Sequence, residues 1–346
     1  MRARSADLAP LPQGVAGKVG TARTATRFLP GARRPMRPVR GSAAGTYAGR
    51  HGSGVAPLRP TPDWEDQGVD AGGLRAVAHA ALPEVDWRTA GVVVGEFHDV
   101  VLADGVAVVK VARGGAIQHL QRRADLLTEL GRLGLPFATP MPLGPVVRDA
   151  GRAAVALSWV PGGPPPCPPG PAALSGLLEA LSSVDTVGLA GRLDAPHAYA
   201  GRGRWEHLML NVVPDLMPGD LRDEAVRRVQ QAVAMPTVEP GMVHGDLAGT
   251  NLLWRSDGTL SGVLDWDLAQ AFDPAVDVGC LSWFGWDTVQ AVVDAKQLHR
   301  AKVWADTFAL EQVAAALDNG EPAPVVQQVV DRVANHLRRT GLHACQ

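Results

Sequence analysis

The chain has 346 residues, of which 46% are hydrophobic and 20% are charged, so it has ample material for a buried core. This composition excludes a disordered or fibrous protein. The net charge of -2 conceals an asymmetry, because residues 1–60 hold eleven arginines or lysines and one acidic residue, whereas the rest of the chain is acidic.

Membrane proteins and disulfide-stabilised proteins are also disfavoured. No run of eighteen apolar residues occurs, so we expect no membrane-spanning segment and no membrane partner. The cysteines Cys167, Cys280 and Cys345 lie far apart and form no CxxC pair. We therefore expect neither a disulfide framework nor a structural zinc site, and this cysteine usage fits a reducing cytoplasm.

The first sixty residues are predicted to form a basic arm without regular structure. They are dense in glycine, proline and arginine and show no helical or strand periodicity. They also lack the apolar segment of a secretory signal. Such an arm could bind nucleic acid through phosphates, but its cations are not interleaved with a series of aromatic residues for base stacking. We therefore favour a solvated arm over a nucleic-acid partner.

From about residue 84 the sequence predicts a small sheet. Three short β-branched runs are separated by Gly95 and by Asp104-Gly105. This pattern predicts three antiparallel strands, with the Asp-Gly pair as the second hairpin turn. The runs cover residues 92–94, 100–102 and 106–111.

A helix, a strand and a connector follow this sheet. Apolar residues at helical spacing predict a helix over 116–133, and an apolar run predicts a strand over 153–160. The connector 161–171, PGGPPPCPPGP, is the best candidate for a domain boundary. We expect three units, which are the arm over 1–60, an N-terminal β-rich lobe over 61–161 and a helical C-terminal lobe over 162–346.

The C-terminal unit is predicted to be mostly helical, apart from one compact segment over 242–284. Amphipathic patterns predict four helices. They cover residues 174–181, 221–234, 287–317 and 325–337.

The segment 242–284 carries the chemistry. Two strand-like runs flank the turn Ser256-Asp257-Gly258, which predicts a hairpin. Asp246 and Asn251 precede the first run and Asp265 follows the second, so the hairpin brings two carboxylates and an amide together. Mg²⁺ prefers oxygen ligands and keeps waters and substrate phosphates in its coordination shell. One carboxylate oxygen and one amide oxygen would therefore suffice as the ligands supplied by the protein.

The order of these residues resembles the catalytic and metal loops of the kinase fold. HGDLAGTN, GVLDWD and DPAVD together resemble the aminoglycoside phosphotransferase family of small-molecule kinases, over roughly residues 85–335. The resemblance implies an α+β, two-lobed protein-kinase-like fold with a small β-rich lobe over a larger helical lobe. It also implies ATP-dependent transfer of the γ-phosphate to a hydroxyl of a small molecule, either aminoglycoside-like or another cationic metabolite.

The resemblance implies roles for four residues. Asp246 would orient the acceptor hydroxyl and take its proton, while Asn251 and Asp265 would hold Mg²⁺ at the ATP phosphates. Lys110 matches the lysine of the third kinase strand. Because only four of the 33 cationic residues are lysines, a lysine inside this apolar strand points to a specific use.

The nucleotide contacts implied by the resemblance lie in two further segments. Gly91 and Gly95 resemble the loop that covers the nucleotide, although GxxxG spacing alone is a weak signal. Ser158 and Val160 lie in the expected hinge, whose backbone amides would meet the adenine.

Other polar residues of the segment have supporting or open roles. We expect His244 to support the loop by hydrogen bonding rather than to act as a base. Asp273 and Asp277 are expected to tie the following helix to the loop. Asp267 could touch the metal or the substrate, and a solvated turn carboxylate is an equal alternative.

One position departs from the family pattern. Arg123 stands where the helix glutamate that pairs with the lysine is expected. Asp125 lies two positions further, about 200° around the helix, so it could serve only in a shifted register. Glu96 could instead approach from the loop. This departure keeps open the alternative of a non-catalytic, pseudokinase-type protein that binds ATP.

Overall fold

In a computed structural model of the chain, the described residues are 70–95, 98–149, 151–165 and 169–341. The expected arm over 1–60 lies outside these residues, as do Glu96, Cys167 and Cys345. The described part forms a five-stranded antiparallel sheet followed by a larger, mainly helical region. This is the α+β, two-lobed arrangement that the resemblance implies.

The N-terminal sheet has the strand order β1-β2-β3-β5-β4. Its strands are β1 (Gly91–Val94), β2 (His98–Ala103), β3 (Ala107–Ala112), β4 (Val147–Asp149) and β5 (Arg152–Ser158). The three predicted antiparallel strands are confirmed. The β2–β3 turn occurs at the predicted Asp-Gly pair, where Gly105 has a φ of 73° that few other residues adopt.

One helix covers a face of this sheet without having been expected from the sequence. α1 (Ala71–Ala81) buries Leu74, Val77 and Ala78 against the sheet. Its helical signal is weak because alanine and glycine dominate the segment. The recognisable cues are the spacing of its apolar residues and the N-cap Asp70, whose carboxylate accepts from the Gly73 amide at 2.8 Å.

The opposite face of the sheet receives α2 (Leu120–Arg132) and the C-terminal region. In β3, Val109 and Val111 belong to the core beneath α1. Because side chains alternate along a strand, Lys110 projects from the other face. The helix predicted over 116–133 is found as α2, and a short 3₁₀ turn at Gly114–Gln118 precedes it.

The C-terminal region contains α3 (Pro171–Ser182), α4 (Trp205–His207), α5 (Val213–Leu216), α6 (Arg222–Val233), α7 (Ala275–Cys280), α8 (Trp286–Gln290), α9 (Ala295–Asp318) and α10 (Ala323–Gly341). The single helix expected over 287–317 is wrong. Asp294 interrupts it, because its carboxylate accepts from the Gln297 amide at 2.7 Å and caps a new helix. None of the described helices is long and apolar enough to cross a membrane.

The predicted hairpin lies between the sheet and these helices. It consists of β7 (Leu252–Trp254) and β8 (Leu260–Val263), while β6 (Gly241–Val243) pairs with β9 (Gln270–Phe272). The Ala138 amide donates to the Ser261 carbonyl, and the Ala138 carbonyl accepts from the Val263 amide, both at 2.9 Å. The hairpin is thereby fixed to the segment that joins α2 to the sheet.

Candidate active site

The loop between β6 and β7 carries two of the predicted site residues. Asp246 and Asn251 are both buried. The Asn251 amide nitrogen donates to the Asp246 carbonyl at 2.9 Å. The Leu264 amide then donates to the Asn251 carbonyl at 2.8 Å. These bonds hold the loop against the end of β8, so Asp246 and Asn251 lie next to the segment that carries Asp265.

His244 stabilises the same loop through both of its ring nitrogens. Its Nε2 donates to the Leu264 carbonyl at 2.9 Å, and its Nδ1 accepts from the Asp246 amide at 3.1 Å. These partners select the neutral tautomer with the proton on Nε2. Burial lowers the pKa of His244 to about 4. Because both nitrogens are engaged, His244 supports the loop and has no nitrogen to offer a substrate.

Asp277 connects α7 to this loop, whereas Asp273 accepts from the Ala275 amide at the start of α7 and contacts a different helix instead of the loop. Asp277 accepts from the amides of His244 at 2.7 Å and Gly245 at 2.9 Å, and burial raises its pKa to about 7. Asp273 accepts from Arg300 Nε at 3.0 Å and Trp304 Nε1 at 2.7 Å, both on α9. The expected tie to the loop is therefore found for Asp277 and is wrong for Asp273.

Asp265 and Lys110 join the two lobes. Asp265 follows β8 in the left-handed conformation, with φ 62° and ψ 63°, which is uncommon outside glycine. Its Oδ1 lies 2.9 Å from Lys110 Nζ, 155 positions away in the chain. Although burial alone would lower it, the carboxylates of Asp265 and Asp267 raise the pKa of Lys110 above its ordinary value. The sheet thus places a partly buried cation, the Lys110 ammonium, at the predicted metal loop.

The donor atoms at the end of the hairpin fit Mg²⁺. The Asn251 amide nitrogen donates to the Asp246 carbonyl, so the amide oxygen of Asn251 is the atom that could bind a metal. Asp265 adds carboxylate oxygens, and two protein ligands leave room for waters and phosphate oxygens. Within the described residues, no group of three or more His, Cys, Asp or Glu side chains could hold a metal. A metal bound here would therefore depend on the amide and on the substrate's phosphates.

A second carboxylate, Asp267, also binds Lys110. Lys110 Nζ lies 3.1 Å from Asp267 Oδ2, and the same oxygen lies 3.0 Å from His98 Nδ1 and 3.8 Å from Arg123 Nη1. Burial would raise the pKa of Asp267, but Lys110, His98 and Arg123 hold it well below its usual range. Asp267 is 8% exposed, so the alternative of a solvated turn carboxylate is wrong.

His98 is a site residue that the sequence reasoning missed. The register of the sheet places Val100 opposite Lys110, and His98 lies two positions before Val100. Residues two apart in a strand face the same side, so His98 and Lys110 share the inner face. A polar residue two positions from the lysine's strand partner was the available signal.

The other candidate partners for Lys110 are not at the site. Asp125 is exposed and accepts from Gln121 on its own helix at 2.9 Å. The shifted helix register that would bring it to Lys110 is therefore wrong. Glu96 lies outside the described residues.

The two glycines of the expected nucleotide loop occupy different environments. The Gly95 amide donates to the His98 carbonyl at 3.0 Å, and a Cβ on Gly95 would lie 2.4 Å from that oxygen. The turn between β1 and β2 therefore requires glycine at this position. Gly91 begins β1 opposite Leu102, at the far end of the strand.

The expected hinge begins at the last residue of β5 and packs against the hairpin. The Ser158 amide donates to the Met141 carbonyl at 2.8 Å, and Ser158 Oγ accepts from the Met141 amide at 2.9 Å. Val160 packs so closely on Gly262 that a Cβ there would lie 2.3 Å from Val160 Cγ1. The Ser158 amide is thus engaged within the protein, which leaves Val160 as the hinge candidate for a nucleotide contact.

Known proteins match this chain in sequence and in fold. Residues 97–315 match the family model of the Phosphotransferase enzyme family. Viomycin phosphotransferase of Streptomyces vinaceus is 30% identical over 250 residues, which are 66% of this chain and 86% of that protein.

Solved structures extend the similarity in fold. The GDP and kanamycin complex of APH(2″)-IIIa is 18% identical, with a TM-score of 0.64 over 78% of this chain and 99% of that chain. Macrolide 2′-phosphotransferase type I is also 18% identical, with a TM-score of 0.56 over 78% of this chain and 97% of that chain. At these identities the structures show a shared fold.

Proposed function

The chain belongs to the aminoglycoside phosphotransferase family and is a small-molecule phosphotransferase, and from this premise we propose that it moves the γ-phosphate of ATP to a hydroxyl of a cationic antibiotic, with Asp246 as proton acceptor. The observation that carries the proposal is the ion pair of Lys110 with Asp265, 2.9 Å long, beside the bonded pair of Asp246 and Asn251. The non-catalytic alternative, raised by Arg123, is not supported by these relatives.

On the donor side, four residues would bind the nucleotide and its metal. Lys110 would contact a phosphate with its ammonium, and the Asn251 amide oxygen and an Asp265 carboxylate oxygen would hold Mg²⁺. When bound, Mg²⁺ supplies charge neutralisation for the phosphates. Val160 would present its backbone to the adenine. The left-handed conformation of Asp265 aims its carboxylate back toward β3, where Lys110 lies.

On the acceptor side, Asp246 would orient the hydroxyl and accept its proton. A bond forms between the acceptor oxygen and the γ-phosphorus as the bond from that phosphorus to the bridging oxygen of ADP breaks, and the hydroxyl proton goes to Asp246. The loop bonds that hold the Asp246 backbone reduce the freedom of this carboxylate before substrate arrives.

The charge of the C-terminal lobe supports a cationic acceptor. Residues 164–346 contain 22 acidic and 13 basic side chains. A surface of this sign raises the local concentration of cations by long-range attraction. Viomycin and kanamycin are the first acceptors to test, because one names the 30% identical relative and the other is bound in a similar fold.

The central prediction concerns Asp246→Asn. We expect phosphate transfer to fall by about 10²–10⁴-fold, because the amide cannot take the hydroxyl proton. Nucleotide affinity should remain close to wild type, since Lys110, Asn251 and Asp265 are unchanged. Transfer is measured by mass spectrometry of the acceptor, and nucleotide affinity by calorimetry.

The matched control is Asp257→Asn, which removes an exposed carboxylate in the turn of the same hairpin. This variant should transfer phosphate like the wild type. Undiminished transfer by Asp246→Asn would refute the assigned role. An absence of phosphorylated product with every acceptor of a broad panel would refute the proposed function.

A further inference from the structure

The buried ion-pair network around Lys110 differs from the one that the family pattern implies. The helix position expected to hold a glutamate is Arg123, whose side chain is 13% exposed and reaches the site. The carboxylate that Lys110 contacts in addition to Asp265 belongs to Asp267, two residues further along the same loop. Both carboxylates that hold the ammonium therefore come from the segment after β8, and neither comes from α2.

Asp267 is held from three sides. Its Oδ2 accepts from Lys110 Nζ at 3.1 Å and lies 3.0 Å from His98 Nδ1, so two elements of the sheet converge on one oxygen. Arg123 Nη1 approaches the same oxygen to 3.8 Å from α2. This carboxylate is therefore fixed by contacts that reach it from β2, β3 and α2.

The charges of Arg123 and Asp267 compensate each other. A glutamate at position 123 would put a third carboxylate beside Asp265 and Asp267, against the single ammonium of Lys110. Like charges at such distances in a buried site repel strongly. An arginine at this position converts that repulsion into attraction. Arg123 and Asp267 therefore form a pair of opposite charges where a helix glutamate would meet a carboxylate.

We propose that Asp267 is the positioning residue that orients the Lys110 ammonium toward the nucleotide phosphates. Arg123, which stands where the helix glutamate is expected, in turn holds Asp267 in position. This inference rests on the proposed function, because it assigns nucleotide phosphates to Lys110. It differs from the family pattern in which α2 carries the lysine's partner.

The contact of Arg123 is mainly one of charge. Its Nε and Nη1 are buried and have no hydrogen-bond acceptor among the described residues. At 3.8 Å, Nη1 is beyond hydrogen-bond distance of Asp267 but within range of a strong Coulomb attraction in a buried environment. Arg123, Lys110 and Asp267 line a small cavity of about 20 Å³, which has room for about one water molecule.

The first test is Asp267→Asn, measured by calorimetric titration of the purified protein with ADP, with and without Mg²⁺. We expect the dissociation constant for ADP to rise by about 10–100-fold, as when other side chains that orient a binding group are lost. With an accepted substrate, KM for ATP should rise more than kcat falls, because the change affects the binding of phosphates. Asp125→Asn is the matched control on α2, and it should bind ADP like the wild type.

The second test returns a carboxylate to α2, where the family pattern has one. Arg123→Glu in the Asp267→Asn background returns a carboxylate from α2 and removes the arginine's unbalanced charge. We expect this double variant to recover most of the lost ADP affinity, whereas Arg123→Glu alone should weaken binding. A merely structural role for Asp267 would allow no such recovery. Circular dichroism and thermal unfolding of each variant show that the fold is retained.

Each outcome decides a different claim. Wild-type ADP affinity in Asp267→Asn, or an equal loss in Asp125→Asn, would overturn this inference and leave the proposed function intact. A wild-type protein that binds no adenine nucleotide would overturn both. If the double variant does not fold, the comparison of Asp267→Asn with Asp125→Asn decides the question alone.

Discussion

Asp277 is the residue through which α7 holds the backbone of the loop that carries Asp246. Its carboxylate accepts from the amides of His244 and Gly245, which immediately precede Asp246. Burial raises the pKa of Asp277 to about 7 from a model-compound value of 3.8. The protonated form is therefore favoured in the folded state over a range of pH in which the unfolded chain is ionised.

This shift predicts the pH dependence of an Asp277→Asn variant. A raised folded-state pKa contributes stability that is complete below about pH 4 and is lost as the pH rises through about 7. Asparagine cannot ionise, so the stability difference between wild type and variant should be widest near pH 4. It should narrow by up to about 1.4 kcal/mol per pH unit toward pH 7. Urea unfolding at several pH values measures the difference in unfolding free energy between the two proteins. A difference that widens as the pH rises would contradict the raised pKa of Asp277.

At the scale of secondary-structure elements, Asp273 joins the end of β9 to the long helix α9. Its carboxylate accepts from Arg300 and Trp304, and all three residues are buried. Arg300 also donates to the Pro236 carbonyl at 2.9 Å. These contacts hold α9 against the end of β9 and the segment before β6.

Arg300→Met should therefore destabilise the protein strongly. The substitution leaves the Asp273 carboxylate buried without its cation, which costs about 3–5 kcal/mol of unfolding free energy. Denaturant unfolding measures this loss. Arg338→Met is the control, because it breaks an exposed pair with Asp220 and should change the unfolding free energy little. Equal losses of unfolding free energy in the two variants would show that the buried Asp273 contact stabilises the fold no more than an exposed ion pair does.

Local patterns predict elements well where the signal is contained in the element itself. The strands β1–β3 follow from β-branched runs and an Asp-Gly turn, and the hairpin β7–β8 follows in the same way. α1 is not predicted, because its alanines and glycines give little contrast between a polar and an apolar helix face. The break before α9 depends on a single capping side chain, Asp294, within an otherwise helical pattern.

The candidate site is predictable to a similar extent. The motif places Asp246, Asn251 and Asp265 on a loop and a hairpin end, and the structure brings them next to one another. The partnership of Asp267 with Lys110 depends on sheet register and on the left-handed backbone of Asp265, at a separation of 157 residues. No local pattern contains that information.

For the whole molecule, the site spans both lobes. Lys110 comes from the sheet, and Asp265 comes from the hairpin that packs on the hinge. A ligand that binds both sides should stabilise the folded protein as one unit, because it binds the native state and not the unfolded chain.

We therefore expect Mg-ATP to raise the melting temperature. At about 100 times its dissociation constant, a ligand adds about 2.7 kcal/mol to the unfolding free energy. Lys110→Met should show a much smaller increase relative to its own ligand-free protein, whereas Asp246→Asn should show the wild-type increase. Differential scanning fluorimetry measures all three. An undiminished increase in Lys110→Met would argue against phosphate binding by this lysine.

The fastening of the hairpin to the hinge has a kinetic consequence. Ala138 bonds to β8, and Gly163 bonds to Trp254 of β7, so the hairpin is tethered on both of its edges. Any widening that separates β3 from the end of β8 would part Lys110 from Asp265 and Asp267. We expect an opening that must break this ion pair to slow nucleotide association below the rate of diffusional encounter.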